Sequence, residues 1–392
     1  MNLQIGEFSP EELADMYGTP LLVVDVSKVK ERIEEFKLHL KEIPHLLCYS
    51  VKANPIPGLL KEISDTVLLE ASSPGELLVS LKASKPDRIV LDGFKDSDLI
   101  TAAMKLNVFL LNSDSIQELS EIGKMKMDLD FQVETIFGIR VSLGLKGESD
   151  IVSTSTLEDK FGVVPEQIRD ALRISNEFGL ELKCIHTHIG SQIERPGTYR
   201  EVVERMFSLP HSEEFDLFDL GGGFGIRYSK TVPSLEAFLG ELSDAYLEIS
   251  DRVGFCPKII LEPGRSIVGE SGYFISREKT RKKKGRVEWS IVDLSTNHLL
   301  ERLYLFRTYP SWNEGNEVKI GGPLCFSGDE LGVGRVSNGL LVLKNCGAYT
   351  ISKSSQYNLY PRPKVILVDG YKSWEIKEGE SYLKVLNDFG AD

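Results

Sequence analysis

Long apolar runs are missing from this chain. No stretch reaches the roughly 18 residues that a membrane span needs, so no bilayer crossing is expected. Cysteine is scarce: Cys48, Cys184, Cys256, Cys325 and Cys346 are scattered and odd in number. That is neither a disulfide framework nor a zinc spacing, and it suits a reducing cytoplasm. The start, MNLQIGEFSP, has no basic stretch followed by an apolar one, so no signal peptide is visible. Positive charge is also in deficit. A net charge of −13 argues against nucleic acid or an anionic membrane surface as the main partner. The basic run KTRKKKGR (279–286) stands against this balance, and its plain reading is a solvated turn between strands.

What is present reads as a soluble globular protein, with 41% hydrophobic and 27% charged residues. A length of 392 residues exceeds one ordinary core and predicts two domains. From residue 46 to 262, eight short runs rich in Val, Ile and Leu alternate with helical stretches: 46–53, 66–72, 88–94, 108–113, 138–143, 184–191, 215–223 and 258–265. Such runs are strands buried on both faces. Ser73-Pro74-Gly75-Glu76 opens a helix with a Ser cap, a Pro at the first position and a Glu three residues after the cap. Pro165 to Phe178 has helical spacing at Ile168, Leu172 and Ile174. Eight strand–helix units predict a (β/α)8 barrel. The stretch 126–160 shows no clear helix and reads as a loop insertion. After Arg265, VEWSIVDL (287–294), EVKIGG (317–322), GLLVLKN (339–345) and KVILVDG (364–370) predict a mostly antiparallel β domain. LLVVDVS (21–27) is placed with it. The expected division is a barrel over 28–265 and a β domain from 1–27 and 266–392.

The distinctive side chains gather where barrel strands end, which is where barrels place function. Lys52, Glu70, the pair His186 and His188 with Ser191, the run Gly221-Gly222-Gly223-Phe224-Gly225, and Glu262-Pro263-Gly264-Arg265 all fall there. The glycines form either a tight turn or an anion cradle of backbone N–H groups. After strand seven the cradle is the better reading, with Arg265 adding charge. Lys52 is either an ordinary lysine with its head in water or, opposite a phosphate site, an amine able to form a Schiff base. Pyridoxal phosphate needs such a lysine, a phosphate cradle and an acid for its ring nitrogen. Glu262 is the candidate acid, unless it pairs with Arg265. His188 is either a satisfied core residue or a ring-stacking one. The two histidines suggest a metal, but no third ligand with usable spacing is apparent, so no metal is assigned.

The segments YGTPLLVVD (17–25), YSVKAN (49–54), SPGEL (73–77), KFGV (160–163), HTHIGSQI (186–193), DLGGGFGI (219–226), EPGR (262–265), GPLCFSGDEL (322–331), CGAYT (346–350) and YNLYPRP (357–363) carry a resemblance across nearly the whole chain. The sequence resembles the fold-type III pyridoxal-phosphate decarboxylases of the diaminopimelate/ornithine decarboxylase family, on the diaminopimelate branch. The resemblance implies Lys52 as the Schiff-base lysine and His188 stacked on the ring. It implies Ser191, Gly222, Gly223, Arg265 and Tyr349 as phosphate ligands, Glu262 as the ring-nitrogen partner, and Cys325 as the acid that protonates the α-carbon. It also implies a homodimer with shared sites, because the Cys loop comes from the second subunit.

The substrate end departs from that family. Its members generally place an acid after the catalytic Cys to meet a distal amine, and here it is Phe326. Diaminopimelate enzymes carry an Arg-Pro pair for the distal carboxylate, whereas this chain has Glu301 and Arg302. Arg302 and Asp329 are the remaining candidates for substrate contacts. The expectation is a decarboxylase acting on a side-chain-modified amino acid of the siderophore or antibiotic type. Diaminopimelate itself is the alternative, and a non-catalytic relative that binds pyridoxal phosphate or a polyamine partner a further one. A racemase would need a tyrosine base opposite Lys52, and the Cys325 loop argues against it.

Overall fold

The computed structural model describes residues 4–129, 132–147, 153–228, 231–305 and 307–390. The first strand, β1 (Leu21–Asp25), is fully buried, and Asp25 caps the helix Val26–His39 that follows it. Eight strands then form a closed parallel barrel: β2 (His45–Ser50), β3 (Leu68–Ala71), β4 (Ile89–Leu91), β5 (Leu110–Ser113), β6 (Ile136–Arg140), β7 (Leu182–His186), β8 (Leu217–Asp219) and β9 (Lys258–Leu261). Each pairs with the next, and β2 closes on β9 with Leu47 opposite Leu261. Cys48, Val90, Leu110, Cys184, Leu217 and Ile260, one from each of six strands, make a cluster separate from the strand–helix core. That is the inward layer filling a small barrel.

The helices between strands start on one recurring device. Ser73, Asp96, Ser115 and Ser234 each accept the N–H three residues on, which satisfies a donor left unpaired in a first turn. Glu76 reaches back to the N–H of Ser72 rather than that of Ser73. The expected helix at Pro165 forms as a 3-10 turn running into Ile168–Phe178.

The stretch 126–160 is not only an insertion. It contains β6, which starts at Ile136, two residues before the expected run, because Ile136 N–H bonds the carbonyl of Phe109. Residues 130–131 and 148–152 of that loop, and residues 1–3 of the N-terminal segment, lie outside the described residues. Among the described residues, no helix is long and apolar enough to cross a membrane.

The second sheet is made from β1 together with β10 (Gly272–Lys284), β11 (Val287–Val292), β12 (Glu317–Gly321), β13 (Glu330–Arg335), β14 (Leu340–Lys344), β15 (Lys364–Asp369) and β16 (Lys372–Lys377). Its pairings are antiparallel except β1 with β15 and β11 with β12. The basic run lies on the exposed end of the β10–β11 hairpin, which turns at Gly285.

Candidate active site

A cavity of about 320 Å³ lies at the barrel mouth. Barrel residues Lys52, Asp92, Arg140, His186, His188, Ser191, Glu262 and Arg265 line it, together with Glu301, Tyr349 and Lys353 from the β domain.

Lys52 sits in the 3-10 turn Val51–Ala53 directly after β2. Its Nζ donates to Glu70 Oε2 at 2.7 Å. Glu70 is fully buried on β3 and also accepts from the hydroxyls of Ser50 and Ser72. Burial disfavours the Lys52 charge, but Glu70 and then Glu262 outweigh it and push the amine above its ordinary range. The cofactor-free amine is therefore held protonated and fixed in place.

Three strand ends bring Asp92, His186 and Glu262 together. His186 Nε2 lies 3.7 Å from Asp92 Oδ2 and 3.8 Å from Glu262 Oε2. Sequence spacing hides both acidic partners of His186, because the barrel closure joins residues far apart in the chain. Burial, followed by the charges of Asp219 and Asp92, raises the Glu262 carboxyl well above the carboxylate range. Asp219 is raised by burial and by Asp92 in the same way. Glu262 Oε1 has no hydrogen-bond partner among the described residues. Burial, and after it Lys52, holds His188 well below its usual pKa, hence neutral near pH 7. Its Nδ1 accepts the Gly222 N–H at 3.1 Å.

The glycine run is pressed against its neighbours. A Cβ on Gly222 would fall 2.2 Å from the Glu262 carbonyl oxygen, and one on Gly223, which has φ +101, would fall 2.4 Å from the Gly190 carbonyl oxygen. No side chain fits either position without displacing backbone. Of the expected phosphate ligands, Ser191, Arg265 and Tyr349 line the cavity, and the Gly222 N–H is already given to His188.

Arg265 does not pair with Glu262. Its guanidinium makes two bonds to Glu301, at 2.9 and 3.0 Å, one to Tyr228 and weaker ones to Ser191. Tyr349, in a left-handed conformation (φ +57), stacks its ring 4.5 Å from the Arg265 carbon. Glu301 also meets Arg307 and Lys353. Burial would raise Glu301, but Arg265, Arg307 and Lys353 hold it down at about 2. Glu301 and Lys353 escape sequence reasoning because only the docking of the two domains brings them to the mouth.

Of the β-domain candidates, Cys325, Phe326, Asp329 and Arg302 stand apart from the cavity lining. Cys325 is exposed, with its N–H on Asn358 Oδ1. Phe326 is part-exposed, edge-on to Tyr357. Asp329 is buried and accepts from Thr296 N, Thr296 Oγ1 and Leu324 N. Arg302 is likewise turned to the carbonyls of Glu330 and Arg307, and Glu301 faces the cavity in its place.

Pyridoxal phosphate fits the residues present. There is an amine at the mouth, an unpartnered buried carboxyl oxygen on Glu262, a neutral imidazole, and a glycine wall that a Cβ would block beside Ser191 and Arg265. The comparisons agree. Residues 26–269 match the family model for the pyridoxal-dependent decarboxylase, pyridoxal binding domain. The chain is 34% identical to the diaminopimelate decarboxylase of Aquifex aeolicus, over 97% of this chain and 94% of that one. It is 30% identical to that of Methanothermobacter thermautotrophicus, over 98% and 95%. The crystal structure of Helicobacter pylori diaminopimelate decarboxylase complexed with L-lysine superposes with a TM-score of 0.86 at 28% identity, covering 97% of this chain and 99% of that one. On this match and these identities, the chain belongs to the pyridoxal-dependent decarboxylases.

Proposed function

We propose that this decarboxylase removes the α-carboxylate of an amino acid with a modified side chain, of the citryl-conjugated or carrier-bound type found in siderophore and antibiotic pathways. One observation carries the reading: the loop that would meet a distal ammonium offers no carboxylate for it. Phe326 follows Cys325, and Asp329 is buried with both carboxylate oxygens accepting hydrogen bonds, from Thr296 and from Leu324. A buried ammonium left unpaired is costly.

Lys52 would hold the cofactor, Ser191 and Arg265 its phosphate, and Glu262 its ring nitrogen, while neutral His188 would pack on the ring. Bound there, pyridoxal phosphate supplies the electron sink for the pair left when the carboxylate departs. Glu262 would serve this chemistry by holding the ring nitrogen protonated, the proton its raised carboxyl carries passing to that nitrogen. Glu70 would keep the Lys52 amine beside the site whenever it is not bonded to the cofactor. Cys325 returns a proton to the α-carbon. The thiol is exposed and outside the cavity lining of its own chain, which supports a homodimer whose partner brings it to the site.

Carbon dioxide release from the holoenzyme over diaminopimelate, lysine, ornithine, carboxynorspermidine and citryl-conjugated amino acids tests the reading. Weak turnover of lysine and ornithine, and stronger turnover of a conjugate, is expected. Robust turnover of either free diamine contradicts it. A second reading, diaminopimelate decarboxylase of lysine biosynthesis, is favoured by the names of the relatives. It predicts diaminopimelate as the preferred substrate of that panel.

A further inference from the structure

Two ammonium groups line the cavity while remaining partly in solvent. The side chains of Lys52 and Lys353 are 38% and 39% exposed. The carboxylates around them are not accessible: Asp92, Glu262, Glu301 and Glu70 all have nearly buried side chains. The reachable charge of the cavity is therefore positive. Lys52 belongs to the cofactor. Lys353 has no assigned task.

Lys353 comes from the β domain, four residues after Tyr349. Its Nζ lies 3.0 Å from Glu301 Oε1, 2.6 Å from the Tyr304 hydroxyl and 4.7 Å from the centre of the Tyr349 ring. These contacts aim the amine without neutralising it. Glu301 carries one negative charge, and Arg265 grips it with two hydrogen bonds while Arg307 donates to it at 2.5 Å. One carboxylate faces three cations, so positive charge is left over at the rim. Arg265 points at the phosphate side, with Ser191. Lys353 is the cation left for something else.

We propose that Lys353 is a specificity-determining residue: it receives a carboxylate at the far end of the substrate side chain and repels a distal ammonium. The inference rests on the decarboxylase reading above and names the substrate class more closely, an amino acid with an anionic side-chain terminus. Citryl conjugates belong to that class, and unmodified lysine and ornithine do not.

Four amino acids that share one carbon chain and differ only at the distal end make the test. 2-Aminopimelate carries a carboxylate there, lysine an ammonium, diaminopimelate both, and norleucine neither. With holoenzyme, kcat/KM for 2-aminopimelate is expected to exceed that for norleucine by about tenfold, and lysine to fall below norleucine. The advantage should shrink as salt is raised, since Lys353 is part-exposed. In Lys353→Met the ratio of 2-aminopimelate to norleucine falls toward one, and in Lys353→Glu lysine overtakes 2-aminopimelate. Pimelate has no α-amine and cannot react. Its binding to holoenzyme by calorimetry should weaken about tenfold in Lys353→Met. Equal rates for 2-aminopimelate and norleucine, or an unchanged ratio in both variants, overturn the role of Lys353 and leave the decarboxylase reading standing. If none of the four amino acids nor any conjugate releases carbon dioxide, the decarboxylase reading fails instead, and pimelate binding alone then decides whether Lys353 holds an anion.

Discussion

On the barrel side of the cavity, each working residue is set by the end of a strand. Lys52 follows β2, Glu70 lies within β3, His186 ends β7 and Glu262 follows β9. Their backbones are locked by eight parallel pairings, and an exchange of any one meets a buried neighbour. On the β-domain side, Glu301 rides a short helix, Leu300–Leu305, while Tyr349, Lys353 and Cys325 sit on turns. These positions can change without rebuilding a sheet. The difference fits the proposed division of labour, with Phe326 and Glu301 on the side that can be exchanged. Rigid strand ends suit a cofactor that every member binds, and turns suit a side chain that varies.

The contrast can be broken from either side. Lys52→Ala should have the largest effect, removing the visible absorbance of bound cofactor and lowering turnover by at least about a thousandfold. A surviving spectrum would show that the barrel half has been misread. Next comes Cys325→Ala, which should cost turnover about a hundredfold or more while leaving cofactor absorbance intact. Mixing Cys325→Ala with Lys52→Ala, each nearly inactive, should recover about a quarter of native activity through mixed dimers. No recovery would place both groups in one chain.

Glu301→Gln tests the seam between the halves. It leaves Arg265, whose side chain is 4% exposed, without its anion. The expected loss is about 3 kcal/mol, read from urea unfolding of the cofactor-free protein. The same variant gives a pH signature. Glu301 is held down at about 2 from an ordinary 4.5, so its contribution is complete above pH 4.5 and is lost as pH falls through 2. The stability difference between wild type and Glu301→Gln should be flat from pH 5 to 7 and shrink toward pH 2. A difference that grows on acidification has the wrong sign for this account. The smallest effect is expected of Asp329→Asn. Its carboxylate ties Leu324 and Thr296 together, so the change should cost about 1–2 kcal/mol and lower turnover through a loosened Cys325 loop.

Much of the barrel half was legible because strand period and turn chemistry are local. Eight apolar runs locate the eight strands, and Lys52, His188, Arg265 and Glu262 fall at their ends whatever the rest of the chain does. The partner of Arg265 was not legible. The sequence offered Glu262 as its alternative partner, yet Glu301 from the other domain takes it, because docking decides which carboxylate reaches the guanidinium. Likewise, Asp92, His186 and Glu262 look unrelated at their spacing until barrel closure brings their ligand atoms within 4.8 Å of one another. Asp329 looked available because nothing in its spacing shows that Thr296 N–H and Leu324 N–H point at it. Phe326 was legible as a departure, and its consequence rests on the proposed dimer.

The division of labour between the halves is tested most directly by Phe326→Glu, a substitution at a side chain that tolerates water because it is part-exposed. The account predicts an unchanged cofactor spectrum and an increase of about tenfold or more in kcat/KM for diaminopimelate relative to 2-aminopimelate. A disturbed spectrum, or a ratio that does not move, would contradict it.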